Sequence, residues 1–443
     1  MTRPPVVALF PEASFGAALN CVAIAQALRA QGAVPVFICH PGFTGIFVEY
    51  GFREYHLHPA ARPGPAAAPE DHWQGFINRH LPHFDLSPFD QLATYVGPTW
   101  AAIVDTAIAA EPSLGETIAR IRPDAIVLDN VIMFPAIANA GCPWIRVVSC
   151  AETEIADPRV PPYLSGLDAG DRAECDAFRR EYRRVTATAS ARYGALRRAH
   201  GLTPLKPGVF LELSPAMNLL LAPSILRHDR AHPLPAQRLR YLEGCVRTEA
   251  RYDVPVLPAN DGPLVYLSFG SLGAIDTALI TRMIGVFADI PARFLVNVGG
   301  FPDAYRQVPD NVYLAGWFPQ PSVVAQCDLF IHHGGNNSFC EALHAGVPSL
   351  VMPYCWDGHD NGRRAETTGT GRRLDRAGWS DADLRAAILG LLADAPMRAR
   401  LGANAERMRA DPGPQAAAAA ILGVIDESAV GRDTPRARTG HGA

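Results

Sequence analysis

The chain has 443 residues, 48% of them apolar, and a formal charge of −4. That is enough chain for two α/β domains, and the charge balance gives no general electrostatic reason to expect nucleic-acid binding. The nine cysteines are scattered without a C-x-x-C pair, and no apolar stretch is long enough to span a membrane. The expectation is a chain with reduced thiols, no signal peptide, no transmembrane segment and a cytoplasmic location. Of the 40 basic residues only Lys206 is a lysine, which with abundant Ala and Pro suggests a GC-rich, bacterial genome.

In chain order, Val6–Phe10 predicts a first strand and VAIAQALRAQG the helix after it. AIVLD, ending at Asp129, predicts another strand of the same unit, followed by a helix over NVIMFPAIANAG. The proline- and arginine-rich stretch HDRAHPLPAQRLR and VPVLPANDGP reads as a connection. Beyond it LVYLSFG, FLVNVGG, VYLAGW, LFIHHGG and SLVMPY are short apolar runs separated by helix-like segments, the pattern of a parallel sheet. LRAAILGLLAD and AAAAAILGVIDE are expected to close that second unit. This divides the chain into 1–225, a linker 226–262, a second domain 263–428 and a disordered tail 429–443.

The densest chemistry lies between Trp317 and Asn361. A buried strand reaches His332, Gly334 and Gly335 allow a sharp turn, and Asn336, Asn337 and Ser338 open an apolar-periodic helix that Gly346 and Pro348 end. The first N–H groups of such a helix lack intrahelical partners and sit at the positive end of its dipole, so they favour a phosphate. His333, Asn337 and Ser338 add side-chain donors there. Glu341 lies one turn on, where a carboxylate can accept from ribose hydroxyls; Trp317 offers a flat face to a base, and Gln320 can read that base's edge. Glycine-rich strand-to-helix turns also occur without any ligand, and it is the combined spacing that points to one.

These residues resemble the donor signature of the UDP-glycosyltransferase superfamily, W-x-P-Q, then H-x-G-x-N-S-x-x-E, G-V-P and D-Q-x-x-N. Here they read Trp317-Phe318-Pro319-Gln320, His333 to Glu341 through Gly335, Asn336, Asn337 and Ser338, Gly346-Val347-Pro348, and Asp357-Gly358-His359-Asp360-Asn361. VYLSFGS, ending at Ser271, resembles the first strand and phosphate loop of the same family's C-terminal domain. The resemblance implies a GT-B fold, two Rossmann-like domains facing a cleft. It implies inverting transfer of a sugar from a UDP- or dTDP-sugar to a small-molecule acceptor, natural-product or lipid-like, with no metal and no further cofactor. It also marks Ser271, Trp317, Phe318, Gln320, His333, Gly335, Asn336, Asn337, Ser338, Glu341, Asp357 and Gly358 as donor-binding positions. The family's glutamine in the D-Q pair is Gly358 here, which leaves the sugar open.

The N-terminal half departs further. Where the family carries its catalytic histidine this chain has Ala17, while the orienting carboxylate matches Asp129. Three readings remain open. Another group moves the proton, with Glu12, Asp129, His72, His80 and His83 as candidates, because general base catalysis is typically worth about 10²–10⁴-fold. Alternatively the acceptor atom is already nucleophilic. Otherwise the protein is a nucleotide-sugar-binding homologue with little or no transferase activity, a partner or regulator. Glu12 and Asp129 also have plain roles available as loop or helix caps. The aromatics Trp73, Phe76, Phe84, Phe89, Tyr95 and Trp100 either line an acceptor pocket or form core.

Overall fold

The computed structural model describes residues 3–58, 75, 79–257 and 262–433, except for the side chains of Phe15, Ser271, Leu272 and 430–433. Two parallel sheets organise it. The first joins β1 (Val6–Pro11), β2 (Val34–Cys39), β3 (Arg53–His56), β4 (Ala125–Asp129), β5 (Trp144–Val148), β6 (Met217–Leu221) and β7 (Leu239–Leu242) in the order β3-β2-β1-β4-β5-β6-β7. The second joins β8 (Leu264–Ser268), β9 (Arg293–Asn297), β10 (Val312–Ala315), β11 (Leu329–His332), β12 (Ser349–Val351) and β13 (Gly371–Arg373) in the order β10-β9-β8-β11-β12-β13. β1, β4, β8 and β11 are wholly or almost wholly buried, as strands with helices on both faces must be.

In both sheets the strand order reverses beside the first strand of the unit, between β1 and β4 and between β8 and β11. Chains leaving two neighbouring strands in opposite directions open a crevice at their carboxyl ends, and open α/β sheets bind ligands there. The register places Pro11 beside Asp129 in one sheet and Ser268 beside His332 in the other, so the residues that follow line the two crevices.

Three expected boundaries change. The proposed linker 226–262 contains β7, an edge strand of the first sheet whose Leu239 and Leu242 are buried. The alanine-rich segment forms a helix, Gly413–Asp433, that returns to the N-terminal domain instead of closing the second. Its Ala417, Ala418, Ile421 and Val424 share a core with Ala18, Val22 and Ala25 of the helix Phe15–Ala30 and with Leu219 and Leu242. Small side chains on both helices permit that close approach, and a Cβ at Gly413 would lie 1.9 Å from the Gly244 carbonyl oxygen. The expected tail is thus helical as far as Asp433; residues 434–443 lie outside the described ones.

Candidate active site

His333 marks the crevice of the second sheet. It follows β11, and its ring is held between two strand-to-helix turns. A Cβ at Gly335 would lie 2.5 Å from its Nε2, and one at Gly270, after β8, 3.0 Å from its Cε1. Gly270 and Gly334 both adopt φ near the left-handed region, +69° and +91°. At Gly270 glycine is therefore required twice over, by conformation and by the imidazole. The ring also stacks on Tyr354 at 5.2 Å. Burial, with Arg376 adding to it, lowers the His333 pKa to about 4, so at neutral pH the group is an uncharged imidazole. Its Nδ1 is buried, and a backbone hydrogen bond with Ser268 partly opposes the lowering.

The helix Asn336–Ala345 starts immediately after this turn and ends at Gly346, whose φ of +77° closes it. No side chain caps its N-terminus from the N-cap position. Instead Asp357 reaches over: its Oδ2 accepts from the Asn336 backbone N–H at 2.9 Å and from Asn361 Nδ2 at 3.1 Å. Burial raises the Asp357 pKa to about 7. Gly358, where a glutamine would be expected, has no room for a side chain, because its Cβ would lie 2.5 Å from the His333 carbonyl oxygen. The two glycine turns pack backbone against backbone, which accounts for the missing amide.

Further along, Gln320 Nε2 donates to Ser338 Oγ at 3.0 Å and to Glu341 Oε2 at 2.6 Å, bringing these three residues together. Trp317 is 65% exposed, an open indole face beside this group in sequence. Phe318 is a correction: it is 2% exposed and packs in the core with Tyr252, Tyr266 and Tyr313, because the turn after β10 points it inward. Asn336 also has a different task. Its Nδ2 donates to the carbonyls of Ser149 and Leu221, at 2.8 and 3.0 Å, tying the donor helix to the ends of β5 and β6. Asn337 lies in the first turn of the helix. The Ser271 side chain lies outside the described ones; its backbone belongs to the short helix Gly270–Gly273.

Across the cleft, Glu12 follows β1 and Asp129 ends β4, and the Glu12 N–H donates to the Asp129 carbonyl at 2.6 Å. Neither caps a helix. Ser14 caps Phe15–Ala30 by accepting from the Ala17 N–H, and the helix after β4 is only Pro135–Ala138, with Phe134 at its N-cap. Asp129 is 2% exposed; Ser149 Oγ donates to its Oδ1 at 2.6 Å, and Cys21 Sγ lies 4.0 Å from its Oδ2. Cys21 is one turn beyond Ala17, so Ala17 occupies the helix face turned towards Asp129.

Burial raises the Asp129 pKa to about 8, with Ser149 opposing and the Glu12 charge adding. Burial raises Glu12 to about 7. Among the described residues the Glu12 carboxyl accepts no hydrogen bond. Glu154 also rises to about 8, by burial first and with Glu12 and Asp129 contributing.

His72, Trp73 and Phe76 lie outside the described residues. His80 is buried against His83, whose Nδ1 is 3.2 Å from its own Nδ1, and against Tyr95. Phe84, Tyr95 and Trp100 are core, each at most 6% exposed, whereas Phe89 is 46% exposed, so three of these aromatics supply packing.

The domains meet tightly beside the site. Asp360 accepts from Thr153 Oγ1 at 2.7 Å and from the backbone N–H groups of Leu164 and Gly166 at 2.8 Å each. His359 Nε2 is 3.0 Å from Gln91 Oε1, and Arg364 Nε donates to the Leu226 carbonyl at 2.6 Å. Asp360 and His359 are therefore interdomain anchors. Two surface hollows of the second domain, around Trp379 and around Pro309, share no lining residue with this group.

Residues 286–423 match the family of the erythromycin biosynthesis protein CIII-like C-terminal domain. Oleandomycin glycosyltransferase of Streptomyces antibioticus is 25% identical over 422 residues, 94% of this chain and 90% of that protein. Over nearly its whole length this chain is thus similar to glycosyltransferases of the UDP-glycosyltransferase superfamily. Demethyllactenocin mycarosyltransferase of Streptomyces fradiae is 23% identical over 338 residues, 74% of this chain and 69% of the relative. Among solved structures, the glycotransferase of kitacinnamycin aligns with a TM-score of 0.70 at 22% identity over 96% of this chain and all of that one. The glycosyltransferase VinC, crystallised with dTDP, aligns at 0.65 and 18% identity over 95% of this chain and all of that one. These structures fix the fold as GT-B.

Proposed function

We propose that this protein is a member of the UDP-glycosyltransferase superfamily that transfers a sugar from a nucleotide diphosphate to a hydroxyl of a small natural-product acceptor by a single inverting displacement. The observation that carries the reading is the position of His333. It sits buried at the second sheet's crevice, held between the glycine turns after β8 and β11, beside a helix N-terminus and across the cleft from the Glu12–Asp129 pair. The relatives, named as an oleandomycin glycosyltransferase and a demethyllactenocin mycarosyltransferase, support the same chemistry.

In this mechanism the diphosphate lies at the N-terminus of Asn336–Ala345. The helix dipole and the first-turn N–H groups beyond that of Asn336, which Asp357 holds, stabilise the charge that grows as the anomeric C–O bond breaks, an effect typically worth several kcal/mol. Neutral His333 contributes a hydrogen bond without adding charge. Trp317 stacks on the base, and Glu341 accepts from the sugar of the nucleoside. The acceptor hydroxyl attacks the anomeric carbon while its proton passes to Glu12, and the bonding pair leaves with the diphosphate.

Glu12 suits the base role better than Asp129 does. It is partly exposed, carries no competing hydrogen bond among the described residues, and has a pKa near the working pH. Asp129 is enclosed and its carboxyl is bound to Ser149, while its main-chain carbonyl accepts from the Glu12 N–H and so helps to hold the Glu12 loop. The mechanism routes no step through a metal, so a chelator should leave turnover unchanged.

We place the protein in the bacterial cytoplasm. The nine cysteines stand outside disulfides, and among the described residues no helix is long and apolar enough to cross a membrane. The test of function is mass spectrometry of purified protein with UDP- and dTDP-sugars against phenol, alcohol, amine, thiol and carboxylic-acid acceptors. A mass increase of one sugar on a hydroxyl acceptor supports transfer. Tight nucleotide-sugar binding without transfer or hydrolysis would instead support a binding-only homologue.

A further inference from the structure

Arg247 lies in the connection after β7, far from the donor motif in sequence, yet its guanidinium enters the donor site. Nη1 is 2.9 Å from Glu341 Oε1, and Nε is 2.5 Å from Glu249 Oε1. Glu249 accepts in turn from the Tyr50 hydroxyl at 2.9 Å, which anchors the arginine to the N-terminal domain. The Arg247 and Glu341 side chains are 4% and 1% exposed.

The two oxygens of Glu341 are thus held differently. Oε1 is in a buried, braced ion pair, and separating it would strand two charges away from water. Oε2 is covered by the neutral amide of Gln320, a partly exposed side chain that an incoming hydroxyl can replace. A ribose 2′,3′-diol is held most symmetrically by one hydrogen bond to each of two carboxylate oxygens side by side. A 2′-deoxyribose offers one hydroxyl and needs one oxygen.

We infer that Arg247 determines nucleotide specificity: by holding Glu341 Oε1 it leaves one exchangeable oxygen and makes the site select 2′-deoxyribonucleoside diphosphate donors over their ribo counterparts. The inference rests on the donor site proposed above. It assigns to Glu341 an acceptor role that is halved by a residue outside the signature.

The test compares UDP with 2′-deoxy-UDP by calorimetry, which changes one hydroxyl and keeps the base. Wild-type protein is expected to bind 2′-deoxy-UDP at least as tightly as UDP. In Arg247→Met, which frees Oε1, the ratio should move towards UDP by about tenfold, equivalent to about 1.4 kcal/mol. Tighter binding of UDP than of 2′-deoxy-UDP by wild-type protein, or an unchanged ratio in Arg247→Met, would overturn the inference alone. If Arg247→Met does not fold, the wild-type ratio decides. Failure of wild-type protein to bind either nucleotide would overturn the donor-site reading, and this inference with it.

Discussion

At the carboxyl edge of each sheet the chain turns from a central strand into a helix, but the two turns are built on different principles. In the second domain the turn is a backbone fit. Gly270, Gly335 and Gly358 each have a neighbour within 3.0 Å of where a Cβ would stand, and every one of those neighbours belongs to His333. In the first domain the corresponding turn holds Glu12, Ser14 and Ala17, and the Cβ position of Gly16 meets nothing within 4 Å. A site built from close backbone contact tolerates few residue types and leaves a sequence signature. A site that needs only a carboxyl of suitable pKa can be met from several positions.

This difference is open to direct attack. The largest effect is expected from Glu12→Gln, which should lower kcat for a hydroxyl acceptor by about 10²–10³-fold. Nucleotide affinity should be nearly unchanged, as calorimetry would show. In wild-type protein kcat should rise through about pH 7, as Glu12 loses its proton, and the variant should lack that rise.

Next comes His333→Ala. Loss of a positioned donor to the diphosphate should cost roughly 10²-fold in kcat/KM with weaker nucleotide binding. Unchanged binding would show that the diphosphate lies elsewhere.

Gly358→Gln separates the backbone fit from a vacant pocket. Overpacking against the His333 carbonyl should destabilise the fold by about 1–3 kcal/mol in denaturant unfolding and give no gain in donor affinity.

The buried carboxyls of the cleft give a pH signature for stability. Glu12, Asp129, Glu154, Asp357 and Asp360 all have folded-state pKa values raised by burial, to between about 6 and about 8. Between about pH 4 and pH 8 the folded protein therefore holds more protons than the unfolded chain. Stability contributed by the neutral carboxyls is fully present below pH 4 and is lost as pH rises through 6 to 8. The melting temperature should accordingly fall between pH 5.5 and 8.5, and a rise over that range would contradict the burial of these groups.

The smallest effect is expected from Ala17→His. It would place an imidazole on the helix face beside Cys21 and Asp129, raising turnover with phenols by less than tenfold because Glu12 already acts there.

How much was legible in the sequence follows the same division. β8 to β12 each matched a predicted apolar run, since strands buried on both faces need continuous apolar residues. β13, Gly-Arg-Arg at the sheet edge, gave no such signal, and β7 was concealed in a proline- and arginine-rich stretch. The helix Gly413–Asp433 was visible as a helix, but its partner was not, because an alanine face fits either domain. Within the donor site, the motif located His333, Gln320, Ser338 and Glu341 together. It could not reveal Arg247, which reaches Glu341 only through the fold, nor that Asn336 and Asp360 spend their hydrogen bonds on the opposite domain. Phe318 sits inside the motif yet faces the core, because spacing alone does not fix which way a turn residue points.

The most direct test of a donor crevice facing a carboxylate base across the cleft is the anomeric configuration of the product, read by NMR from a reaction with an α-linked nucleotide sugar. A β-linked glycoside is expected, formed in one displacement with Glu12 taking the acceptor proton. An α-linked product, or none from any hydroxyl acceptor despite tight donor binding, would contradict it.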